Sequence, residues 1–100
     1  MAEHPLSALW KMDPEMADQL KDMEELVYGP GTLPRKVKLL IAMAFDAAHG
    51  ADMGVRALAL AAMKEGATRE EIAEALRVAY HLSGVGALYT ASSGLKEIIG

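Results

Sequence analysis

The chain contains no cysteine. That excludes disulfides, thiolate nucleophiles and sulfur-ligated metals, and it suits a cytoplasmic protein. It also lacks a basic excess. Ten Lys and Arg face 14 Asp and Glu, a formal net charge of -4, so nothing in the charge balance points to nucleic acid. Long apolar runs are missing as well. The longest cover residues 39–45 and 57–63, far short of a membrane span. Residues 1–5 hold no basic stretch ahead of an apolar run, so no secretory leader is expected. Strand-type alternation, internal repeats and low-complexity segments are all absent.

What is present is apolar and helical. One hundred residues make one small domain, and 52% of them are hydrophobic. A chain this short buries only a modest share of its surface. So much apolar content implies that other subunits cover part of it. The expected organisation is an N-terminal arm over residues 1–12 and a helical domain over 13–100. In the arm, Leu6, Leu9 and Trp10 suit a short apolar segment or helix, with Trp10 as a packing anchor.

The first clear helix opens at Asp13-Pro14-Glu15. Asp13 can cap the free N–H groups, and Pro14 suits the first helical position. Met16, Leu20, Met23 and Val27 then share one face, and Gly29-Pro30-Gly31 ends it. A second helix is expected from about 34 to 49. Val37, Leu40, Ile41, Ala44, Phe45 and Ala48 form its apolar stripe, and Leu39 and Met43 widen that stripe beyond a single core-facing side. The third, about 52–65, is apolar on nearly all sides apart from Arg56. Such a helix belongs in a centre or a subunit interface. Thr68 and Glu71 form a T-x-x-E capping box for the fourth, whose face carries Ile72, Leu76, Ala79 and Ser83. Residues 83–86 break the chain before a fifth helix with Leu88, Ala91, Leu95, Ile98 and Ile99. The basic cluster Arg35, Lys36 and Lys38 reads as a solvated face or as a site for an anion.

The run Leu33-Pro34-Arg35-Lys36-Val37-Lys38-Leu39-Leu40-Ile41-Ala42-Met43-Ala44 resembles the first core helix of the carboxymuconolactone decarboxylase family, which includes an alkylhydroperoxidase D-like branch. Residues 56–72, Ala73 to Leu76 and Ser83 to Leu88 are similar to further family positions in the same order and register. The resemblance covers about two thirds of the chain. It implies an all-α fold and symmetric homo-oligomers, commonly trimers or hexamers. It also implies, for the peroxidase branch, a glutamate, a C-x-x-C pair and a histidine. Those positions fall on Leu39, on Ala51 and Gly54, and on Leu58. None matches, so no catalytic residue carries over. Peroxide reduction needs a thiolate to attack and a second thiol to resolve the intermediate, and a proton relay to accompany them.

The decarboxylase branch does not depend on a dithiol. Acting on a small lactone acid needs a general acid and an anion-binding cation. The candidate acid–base groups are Asp46, His49 and Asp52, spaced by three around the turn between the second and third helices. They read either as a proton-transfer cluster or weak metal site, or as a solvated helix end in which Asp52 caps the next helix. Arg56 is an anion-binding group or a structural partner of Asp52. Tyr80 and His81 could reach a pocket beside the second helix, or serve as packing residues. No resident metal or cofactor is expected. Three functions stay open: a cofactor-free enzyme on a small acid or lactone, a binding module with an apolar pocket for a small molecule, and a structural oligomer.

Overall fold

The computed structural model describes residues 6–99. The remaining part of the expected arm, residues 1–5, lies outside that range, as does residue 100. Among the described residues the fold is all-α. Six helices follow one another: α1 (Ser7–Met12), α2 (Pro14–Tyr28), α3 (Arg35–Ala48), α4 (Asp52–Lys64), α5 (Arg69–Ser83) and α6 (Gly86–Ile99). None is long and apolar enough to cross a membrane.

The local signals act as their chemistry predicts. The Asp13 carboxylate accepts the Met16 N–H at 3.0 Å, capping α2 behind Pro14. The Thr68 hydroxyl accepts from the Glu71 N–H at 3.1 Å, and the Glu71 side chain accepts from the Thr68 N–H at 2.9 Å, completing the box. Gly50 turns the chain from α3 to α4 at φ +80°, a conformation that L side chains rarely adopt.

Helices α3 to α6 pack on one another as the body. Their shared core is built largely from small residues. Met43 and Val55 are its largest fully buried side chains, joined by Ala47, Ala59, Ile72, Leu76, Ala79, Ala87 and Ala91. Small residues let helix backbones approach closely. The limit is reached at Gly94 of α6, where a β-carbon would strike the Asp52 carbonyl oxygen and come within 3.1 Å of the Val55 Cβ.

The apolar stripe of α3 is divided. Leu40 and Ala44 pack against the core beside the buried Leu39, Met43 and Ala47, while Ile41 and Phe45 remain open. Helix α4 is covered on one side within the protomer, at Val55, Ala59 and Ala62, while Met53 is 71% exposed.

The arm and α2 stand apart from this body. Leu6, Leu9 and Trp10 close a small hollow of about 30 Å³ with Met16, Ala17 and Leu20. Helix α2 nevertheless contains no buried residue along its 15 positions. It is tied to α3 by Arg35, which donates to the Tyr28 carbonyl, and by Lys38, which donates to the Gly29 carbonyl at 2.9 Å.

Candidate functional site

Two of the four positions where the resemblance placed the peroxidase groups, Leu39 and Leu58, share one apolar cluster. Leu39 on α3 is 2% exposed and clusters with Ala62 and Ala67. Leu58 on α4 packs against that cluster, and Tyr28 closes it from α2. Leu39 and Leu58 therefore belong to one contiguous apolar cluster. A charge at 39 would be buried without a partner. Ala51 precedes α4 and gives its end no side-chain cap. At Gly54, three residues on, the Asp46 side chain lies directly against the backbone, in the space a β-carbon would need.

Asp46, His49 and Asp52 turn to three different neighbours. Asp46 covers Gly54. The exposed His49 ring leans on Phe45 one turn earlier, with ring centroids 6.1 Å apart and planes tilted by 45°. Asp52 accepts from the Ser93 hydroxyl at 3.1 Å and from the Met53 N–H at 3.0 Å. Among the described residues no group of three such side chains could hold a metal ion. Arg56 bonds to Glu97 on α6 and not to Asp52. The physical reason is that α6 packs alongside α4, so Asp52 is engaged by Ser93 while the long guanidinium side chain spans to Glu97.

The basic cluster is also committed. Arg35 pairs with Glu65 at 3.2 Å and lies 5.9 Å from the centre of the Tyr28 ring. Lys36 donates to Glu71 at 2.9 Å. That bond, with the Thr68 N–H, holds the Glu71 carboxyl below its usual range. Burial raises the Tyr28 phenol. The charges of Glu24 and Asp46 add to this, and Arg35 opposes it.

The main apolar concavity lies elsewhere, between α3 and α5. Its volume is about 380 Å³, and its walls include Val37, Ile41 and Phe45 on one side and Val78 and Leu82 on the other. Ser83 sits in its lining, but its hydroxyl already donates to the Ala79 carbonyl at 2.6 Å. Tyr80 and His81 are exposed and do not line it. This groove can hold apolar matter and offers no acid, base or charge. The sequence carried a signal for it, since Val78 and Leu82 are apolar yet lie off the Ile72–Leu76–Ala79 face.

Compared with known protein families, residues 14–97 match the carboxymuconolactone decarboxylase family, and the chain belongs to it. No curated protein and no solved structure matches it.

Proposed function

We propose that this member of the family is a homo-oligomer whose role rests on assembly and not on a thiol or acid–base centre inside one protomer. The observation that carries this reading is that Leu39 and Leu58 share one apolar cluster. The two positions where the resemblance places a proton relay are filled by contiguous hydrophobic side chains. Exposed apolar side chains on several helices, among them Met23, Phe45, Leu82 and Tyr89, support association. A trimer or hexamer is the expected assembly, from the family resemblance. The cysteine-free composition fits the cytoplasm, which cell fractionation would check.

Native mass spectrometry together with turnover assays tests the proposal. The expected result is a trimer or hexamer. It should show no thiol-dependent turnover of an organic hydroperoxide, and no decarboxylation of a small lactone acid, above a heat-killed control. Catalysis of either reaction, or a bare monomer, would overturn it.

The α3/α5 groove favours a second reading, a binding module for a small apolar molecule. Its volume of about 380 Å³ lies within the range of small-molecule sites, roughly 300–1,000 Å³. In that case the oligomer would carry a defined extra mass, released on denaturation.

A further inference from the structure

We infer that helix α2 of one protomer lies in the α3/α5 groove of a second copy of this chain. The inference rests on the homo-oligomer reading and names the surfaces that form the contact.

The first argument is area. The chain exposes 7182 Å², whereas a folded monomer of 10.7 kDa is expected to expose about 5,500 Å². The six terminal residues outside the described range could account for at most about 900 Å² of the difference. The radius of gyration agrees, at 14.2 Å against roughly 12.7 Å for a compact chain of this length. The about 800 Å² that remains is the size of one standard interface patch per partner, which a protomer that lends one helix and receives another would divide between the two faces.

The second argument is complementarity of form. Helix α2 is amphipathic, and apart from the arm's packing on Met16 and Leu20 its own body leaves the apolar face open. Met16 is 55%, Met23 56% and Val27 44% exposed. The groove has the matching defect, since Phe45 and Val78 in its walls are each 60% exposed. The lengths agree. Residues 16 to 27 on α2 and residues 37 to 48 on α3 are 12 residues each, about 16 Å of helix from first to last. Apolar anchors at spacings of three and four, laid along a groove between two helices, are a recurrent mode of recognition.

The third argument is charge. The other side of α2 carries Glu15, Asp18, Asp22, Glu24 and Glu25 against Lys21 alone. Docked by its apolar face, the helix keeps these carboxylates in water. Because helix and groove are different surfaces, the contact is directional. It closes into a ring, or into a reciprocal exchange between two copies.

A mixing experiment tests the inference on the full chain. One variant, Met23→Glu with Val27→Glu, spoils the helix and keeps the groove. The other, Phe45→Glu with Leu82→Glu, spoils the groove and keeps the helix. All four positions are exposed in the protomer, so each variant should fold, and circular dichroism checks that it does. If either does not, the corresponding Gln variants replace it. Analytical ultracentrifugation should show an oligomeric parent, two variants each reduced toward the monomer, and an equimolar mixture that forms a heterodimer through the one intact helix–groove pair. A monomeric parent would overturn the homo-oligomer reading itself. An oligomeric parent whose variants stay oligomeric, or whose monomeric variants fail to pair when mixed, would overturn only the placement of α2.

Discussion

The Asp46 carboxyl carbon stands 2.8 Å from the point where a β-carbon on Gly54 would lie. Alanine is ordinarily the better helix former by roughly 0.5–1 kcal/mol at an interior position. Here that preference meets the Asp46 side chain, whose carboxyl group would have to shift to make room. Gly54→Ala is expected to destabilise the protein by about 1–3 kcal/mol, the usual cost of overpacking. In an Asp46→Ala background the sign should reverse and the same change should stabilise. Urea denaturation of the double-mutant cycle measures the coupling. Equal effects in both backgrounds would show that the two positions do not compete for space.

Leu39 is almost fully buried, and that burial decides what its replacement does. Leu39→Ala should cost about 2–5 kcal/mol. Leu39→Glu should cost more near neutrality, because the site offers a carboxylate no partner. Its carboxyl would then titrate higher in the folded than in the unfolded state, so the variant should regain stability as pH falls. Denaturation midpoints across the acid range would reveal this. A Leu39→Glu protein as stable as its parent at neutral pH would contradict the apolar cluster that Leu39 and Leu58 share.

Glu71 links the capping box to the Lys36 ion pair, and its pKa is held down. A carboxyl depressed in the folded state stabilises above its unfolded pKa, and that contribution fades as pH falls through the folded value. Lys36→Met should therefore flatten the stability loss below about pH 5. Thr68→Ala should lower stability by about 1 kcal/mol through the lost cap. Chemical denaturation at several pH values separates the two effects. An unchanged acid limb in Lys36→Met would count against the bond.

For Tyr28 the sign is opposite. Its phenol is raised, chiefly by burial. The neutral form is therefore favoured in the fold, a contribution that is intact below about pH 10. It is lost as pH rises through the folded value. Tyr28→Phe should remove a tyrosinate absorbance that develops above the ordinary phenol range and lessen the alkaline loss of stability. A parent and variant with superimposable alkaline titrations, after allowance for one phenol, would refute this.

Much of the fold was legible because helix grammar is local. Asp13-Pro14, the Thr68–Glu71 box and the glycine breaks each act within a few residues, and every body helix lies within two residues of its expected bounds. Orientation was harder. Helix α3 is apolar nearly all round, so its sequence alone could not say that Leu39, Met43 and Ala47 face inward while Ile41 and Phe45 face a groove. Gly94 gave no sign of its close approach to α4, because that contact depends on tertiary position. Around the candidate site, the residue types marked what chemistry was missing. They could not reveal that Asp46, His49 and Asp52 diverge, since spacings of three place groups near one another only while the helix continues, and Gly50 interrupts it. Arg56 shares an unbroken helix with Asp52, yet its partner Glu97 lies on α6, a contact that depends on tertiary position.

Helix α2 has no buried residue of its own. In an isolated protomer its amides therefore have little more than their helical hydrogen bonds to slow exchange with solvent water. Those of α3 to α6 are guarded by the core. Deuterium uptake along α2 should then depend on protein concentration, fast on dilution and slow on association, while the body keeps a constant pattern. One segment of the chain thus reports, amide by amide, how crowded the protein is with copies of itself.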